Sequence, residues 1–196
     1  LRETKADSEL VEASSAGRRA LRRMIGLVAN FVDISRLEDA ALQVMRFPTK
    51  VGDLLTSTGQ IHETSRGDIE ALRVTCDLDL VCEIDPMLTE RVLHNLLNNA
   101  TRYVDTGGRI GIEAYLEDDG DTLFIGVGNT GASIPHEKRD GLFEKYGKAD
   151  DGKSQRGMGL YFCRLACEAH GGTIRIEDSP NYATLFAIRL SLAGLT

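Results

Sequence analysis

The sequence predicts an α+β fold in two layers: a mixed, mostly antiparallel sheet with helices on one face, preceded by one long helix. Three observations carry this. Leu21, Met24, Ile25, Val28, Phe31 and Val32 recur at three- and four-residue steps, which makes one apolar stripe along a helix. Two alternating segments, RIGIEAYLED and DTLFIGVGN, flank Asp118-Asp119-Gly120-Asp121, a strong hairpin signal. Two later helical patterns each close on a glycine pair, Gly107-Gly108 and Gly171-Gly172.

The elements follow in order. Residues 8–46 read as helix, ended by Phe47-Pro48 because proline disfavours helix in the residue before it. A lone helix offers its apolar stripe no cover, so the stripe implies a second helix in another copy or another segment; the alternative is that it docks on its own domain. Residues 51–65 read as helix, and 71–78 and 80–85 as strands. Residues 85–104 form a helix, with Asp85 as N-cap and Pro86 in the first turn. The hairpin follows. Residues 136–156 are rich in charge and glycine and read as a mobile loop. GMGLYFCRLACEAH (157–170) is a helix, and TIRIED and ATLFAIRLSL are closing strands.

Composition excludes several classes. The 196 residues suffice for one domain with a full core. A 42% apolar and 27% charged chain is ordinary globular material. Its net charge of −7 argues against general binding to nucleic acid or anionic membranes. The longest uncharged run in the first third, MIGLVANFV, is too short for a bilayer, which needs about 20 residues. The polar start LRETKADSEL shows no signal peptide. The chain starts without Met and in mid-pattern, so it is expected to be part of a longer protein. Cys76, Cys82, Cys163 and Cys167 lack zinc-site spacing and read as reduced structural thiols, which suits the cytoplasm.

The chemistry starts at RVLHNLLNNATRY (91–103). Asparagine is a poor helix-interior residue, because its side chain competes for backbone groups. Asn95 and Asn99 are four apart and share a face, while Leu93, Leu96, Leu97 and Ala100 suit a core on the other. A pair of carboxamides can bind a polar ligand, and an amide oxygen can coordinate Mg2+ that takes its other ligands from phosphates; the alternative is a merely solvated face. VGNTGASIP (127–135) is a turn-rich segment after a strand, and GMGL (157–160) opens a helix with two glycines. Glycines let backbone N–H groups approach a phosphate, and a helix N-terminus favours anions. The spacing fits neither the dinucleotide fingerprint nor a Gly-x-x-x-x-Gly-Lys-Ser/Thr loop.

Taken in order, NLLNNATRY, VGNTGASIP, GLFEKYGK (141–148), GMGLYFCRLACEAHGG and ATLFAIRL resemble the boxes of the ATP-binding domain of sensor histidine kinases, in the wider family of gyrase, the Hsp90 chaperones and MutL. The resemblance spans residues 47–190 and implies the Bergerat-type ATP-binding fold. RRMIGLVANFVDISRLED is similar to the second helix of the dimerisation and phosphotransfer hairpin of these kinases. Residues 1–46 are then part of that hairpin and 47–196 the catalytic domain. The implied cofactors are ATP and Mg2+, and the implied partners are a second copy through the hairpin and a response-regulator receiver domain. The resemblance is compatible with a parent protein tied to a membrane that this segment is expected not to touch.

The resemblance also implies roles. Asn99 is the Mg2+ ligand, and Asn95 orients phosphate or water beside it. Arg102 and Tyr103 lie along the nucleotide. Asn129 stands where the family has an Asp that accepts from the adenine amino group, with Gly131, Ser133, Ile134 and Thr184 around the base. Lys145, Lys148, Lys153 and Arg156 are candidates for neutralising phosphates, Lys145 as a catalytic one. Gly157 and Gly159, with Met158 and Leu160 between and after them, present backbone N–H groups. The sequence departs from the family pattern at Asn129, Ser133, Gln155, Asn181 and Ala183. A neutral acceptor at Asn129 is expected to cost about 1 kcal/mol, about a factor of five in affinity. None of His62, His94, His136 and His170 lies in residues 1–46, so the chain is expected not to phosphorylate itself. Two other readings stay open: a docking scaffold of the same fold with a degenerate pocket, and a serine kinase or ATPase of the same superfamily.

Overall fold

The structure is a computed structural model, and it describes residues 14, 17, 21, 24, 26, 28, 31, 32, 34–38, 43–63, 70–118, 120–145 and 157–192. Every described residue between 14 and 38 is helical, and these form α1. Residues 43–46 are not helical, so the helix expected to reach 46 stops earlier. The reason is hydrogen bonding outside a helix. The Met45 N–H donates to Asp85 Oδ2 at 2.9 Å. The Arg46 guanidinium donates to the carbonyls of Ser191 and His170, both at 2.9 Å.

A strand missing from the sequence reading follows: β1 (Phe47–Lys50) pairs antiparallel with β3 (Val81–Ile84) as a separate two-stranded sheet. Between them lie α2 (Val51–Glu63) and β2 (Glu70–Cys76). Next come α3 (Pro86–Tyr103), β4 (Arg109–Leu116) and β5 (Thr122–Asn129). The segment read as a loop from 136 begins instead with a one-turn helix, α4 (His136–Arg139), and a 3-10 turn (Asp140–Phe143). Burial of Leu142 and Phe143 holds this turn in place, with Phe143 edge-on to Phe186 at 6.3 Å between ring centres. The chain closes with α5 (Gly157–Ala169), β6 (Thr173–Glu177) and β7 (Thr184–Ser191).

The main sheet has the order β2-β4-β5-β7-β6, parallel only between β2 and β4. This is the α+β, mostly antiparallel architecture expected. Alternation divides its faces. Leu123, Ile125 and Val127 of β5 join the core with Ile188 of β7 and Leu93, Leu96 and Leu97 of α3. Phe124, pointing the other way, stacks on Tyr115 at 4.6 Å and lies under the Arg189 guanidinium. Arg189 is itself bonded to Glu117 and Glu177. Helix α3 packs between α2 and α5. Asp85 caps α3 as expected, its Oδ1 accepting from the Leu88 N–H at 2.9 Å. Cys82, Cys163 and Cys167 are buried, and burial pushes their thiols up, so they pack as small apolar groups.

His170 ties the two central helices together. It is 2% exposed. Its Nδ1 donates to the Ala166 carbonyl at 3.1 Å, and its Nε2 accepts from the Asp85 N–H at 3.1 Å. Only the neutral ring protonated at Nδ1 can do both. Burial lowers its pKa. The Ala166 bond and the Asp85 carboxylate oppose this, and the Arg46 guanidinium reinforces it.

The sign of the pH dependence follows. The unfolded chain takes up this proton at a higher pH than the folded chain does. Stability held by neutral His170 is complete above about pH 6.5 and is lost as pH falls through the lower folded pKa, by up to about 1.4 kcal/mol per pH unit. Urea unfolding from about pH 7.5 to 5 should show this decline. His170→Gln should start about 1–3 kcal/mol less stable and decline less steeply. Equal slopes in the two proteins would show that another group titrates.

Candidate functional site

The site lies where α3, α5 and the end of β5 meet. Helix α3 buries Leu93, Leu96, Leu97 and Ala100 and leaves Asn95 and Asn99 half-buried on its other face. The Asn95 Nδ2 donates back to the Arg91 carbonyl at 3.0 Å, which leaves Oδ1 as the group it presents. That oxygen faces Gly159: a Cβ built there would lie 3.1 Å from Asn95 Oδ1. The carboxamide face therefore sits against the first turn of α5, where unpaired N–H groups and the helix dipole favour an anion. Met158 and Leu160 pack into the core, so this turn offers its backbone.

Across the sheet end, Asn129 and Thr184 are direct cross-strand partners, 2% and 4% exposed. The Asn129 Nδ2 donates to the Thr130 carbonyl at 2.8 Å. The Thr184 hydroxyl donates to the Ala132 carbonyl at 3.2 Å, which fixes the turn after β5. Gly131 has φ of +126°, and a Cβ there would come within 2.2 Å of the Tyr103 carbonyl. The turn thus closes on the C-terminal end of α3, beside the exposed Arg102 and Tyr103. Ser133 is exposed, and Ile134 packs on the core.

Hence Asn95 and Gly159 are brought together, as are Asn129, Thr184 and Gly131 with the end of α3. Lys148, Lys153, Gln155 and Arg156 lie outside the described residues. Lys145 has a partner the sequence did not indicate. Its Nζ bonds both carboxylate oxygens of Glu38 on α1, at 2.6 and 2.9 Å. The Tyr161 hydroxyl of α5 donates to Glu38 Oε1 at 2.7 Å. The Lys145 and Tyr161 hydrogen bonds hold the Glu38 carboxyl below its ordinary range. Nothing in the sequence could flag this cluster, because 107 residues separate Glu38 from Lys145.

The donors suit a hard cation in a particular way. Among the described residues no group of three His, Cys, Asp or Glu could hold a metal. Carboxamide oxygens at Asn95 and Asn99 are hard but neutral. They fit Mg2+ arriving with phosphates that supply most of its charge and ligands.

Comparison with known proteins identifies the family and the fold. The profile of the histidine kinase-, DNA gyrase B- and HSP90-like ATPases matches residues 84–194. The chain belongs to that family. It is 30% identical over 175 residues to the alginate biosynthesis sensor protein KinB of Pseudomonas aeruginosa, across 87% of this chain and 29% of that protein. It is 27% identical over 179 residues to the sensor histidine kinase WalK of Bacillus subtilis, across 86% of this chain and 28% of that protein. The chain thus spans under a third of these two relatives. Two solved structures share the fold. Full-length ShkA in complex with AMPPNP has a TM-score of 0.74 at 21% identity, across 88% of this chain and 37% of that one. The catalytic domain of histidine kinase ThkA has 0.65 at 24%, across 77% and 99%. No helix among the described residues is long and apolar enough to cross a membrane.

Gly131→Ala should lose about 2–4 kcal/mol in urea unfolding, because an alanine at that φ is strained and its methyl meets the Tyr103 carbonyl. A loss below about 0.5 kcal/mol would show that the turn has room to move off α3.

Proposed function

We propose that the chain is the ATP-binding catalytic core of a sensor histidine kinase, which passes the γ-phosphate of ATP to a histidine outside its own catalytic domain. The observation that carries this is the close approach of the Asn95 carboxamide oxygen to Gly159 at the start of α5, where an added Cβ would lie 3.1 Å from it. It sets a metal-compatible acceptor beside a phosphate-compatible helix end. In phosphoryl transfer the protein chiefly positions groups and screens charge. Asn129 and Thr184 would read the base, the first turn of α5 would receive phosphate oxygens through Gly157 and Gly159, and Asn99 with Asn95 would hold Mg2+. Bound there, the ion would neutralise phosphate charge. Arg102 and Tyr103 would line the nucleotide, and Lys145, Lys148 and Arg156 are proposed phosphate ligands.

The chain divides, in this reading, into a partial phosphotransfer hairpin (1–46) and the catalytic domain (47–196). Leu21, Met24, Val28, Phe31 and Val32 of α1 are exposed, which supports dimerisation through the stripe. A receiver-domain aspartate would take the phosphate onward, in the cytoplasm. His170 has both ring nitrogens engaged and is no acceptor. None of the four histidines lies in residues 1–46, so the chain should incorporate no acid-labile phosphate from labelled ATP when incubated alone.

Calorimetric titration with a non-hydrolysable ATP analogue tests the reading. Mg2+ should tighten binding, and Asn99→Ala should remove most of that gain. Absence of binding at millimolar nucleotide, in folded protein, would favour the docking scaffold. A Mg2+ gain untouched by Asn99→Ala would unseat Asn99 as the metal ligand.

A further inference from the structure

The cradle around Glu38 is built as an anion site. One carboxylate receives two contacts from the Lys145 ammonium and one from the Tyr161 hydroxyl. Tyr161 is 8% exposed and stands two residues beyond Gly159, within the first turns of α5. The Lys145 Nζ lies 5.9 Å from the centre of the Tyr161 ring. Arg164 covers the same ring at 5.3 Å but is bonded to Glu144, so its charge is already matched. Glu38 sits on the last described turn of α1, one turn beyond Ile34, which is 2% exposed in the core. The carboxylate and the buried Ile34 together seat α1 on the catalytic domain.

We propose that Glu38 is an internal anionic ligand that competes with nucleotide phosphate for Lys145, so that α1 docking and triphosphate binding oppose each other. This rests on the nucleotide reading above. An ammonium paired with both oxygens of a carboxylate has no net charge to offer a phosphate. When triphosphate takes Lys145, α1 loses this polar anchor and keeps the apolar packing of Ile34 and Leu37. Each ligand therefore weakens the other by the same factor. Glu38 acts through Lys145 and is a positioning residue, not a catalytic one.

Four versions of the 196-residue chain, wild type, E38Q, K145Q and E38Q/K145Q, are titrated with the ATP analogue and, separately, with inorganic tripolyphosphate. E38Q keeps an acceptor for Tyr161 but loses the charge. It should bind both probes more tightly, on the order of threefold to fivefold, less so at high salt. K145Q should bind more weakly than wild type, and the double variant should match K145Q. E38D, which keeps the charge, should lie near wild type and serves if E38Q folds poorly. A tripolyphosphate gain in E38Q without any ATP binding would sink the nucleotide reading and keep the competition. Equal affinities of wild type and E38Q for both probes, or an E38Q gain that persists without Lys145, would overturn the proposal.

Discussion

Asp85 and His170 hold the geometry on which the rest depends. The Asp85 carboxylate receives the N–H groups of Met45 and Leu88, and its own N–H donates to His170. His170 follows the C-terminal end of α5, and its carbonyl receives Arg46. One cluster therefore joins the linker at 43–46, the start of α3 and the end of α5. It also sets their relative direction. His170 meets Asp85, Cys163 reaches the Val92 carbonyl and Gly159 faces Asn95, so the two helices run antiparallel. Fastened at that end, they bring the start of α5 beside the second half of α3. From Asp85 to Asn95 is about 15 Å along the helix. The anion-favouring end of one helix and the carboxamide face of the other coincide because a neutral histidine is bonded a few turns away.

Local stability is given up where the ligand would sit. Glycine in a helix costs about 1 kcal/mol and asparagine about 0.7 kcal/mol relative to alanine. Helix α5 opens on Gly157 and Gly159, and α3 carries Asn95, Asn98 and Asn99. The opposite ends of both helices are capped, bonded and buried. Leu93, Leu96, Leu97 and Phe162, each at 0% exposure, offset the cost, since burying one such side chain contributes about 1.5–3 kcal/mol. Poor helix formers in an otherwise apolar pattern are how a functional face announces itself against a packing face.

That contrast explains what could be read from the sequence. Asp85 as N-cap, the split of α3 into leucine and asparagine faces, and the hairpin at Gly120 are all local signals, within one or two turns of chain. So are GMGL at the start of α5 and the turn after Asn129. β1 leaves no signal in the sequence, because four residues containing a proline carry no alternation, and it exists only through pairing with β3. The 3-10 turn is hidden in the sequence by its charge-rich surroundings; it rests on the burial of Leu142 and on Phe143 meeting Phe186 of β7. By sequence alone His170 is only the end of a helix. Its partner Asp85 lies 85 residues away, beyond any periodicity. The Glu38 cluster has the same character, since long-range polar contacts leave no repeating pattern.

Charge gives these polar contacts their weight. A chain of net charge −7 that binds a triphosphate must supply positive potential locally, because its field at a distance repels the ligand. At an ionic strength of about 0.15 M that repulsion fades within about 8 Å, so only groups near the phosphates decide affinity. The dipole of α5 contributes about half an elementary charge. Among the described residues, the nearby guanidinium of Arg164 is bonded to Glu144 and that of Arg189 to two glutamates on the outer sheet face. In the proposed reading, Lys145 and Arg102 are the described cations left to meet the phosphates, and Lys145 is bonded to a helix of the same chain. In the same reading, its pairing with Glu38 couples the position of α1 to the charge that Lys145 offers a phosphate.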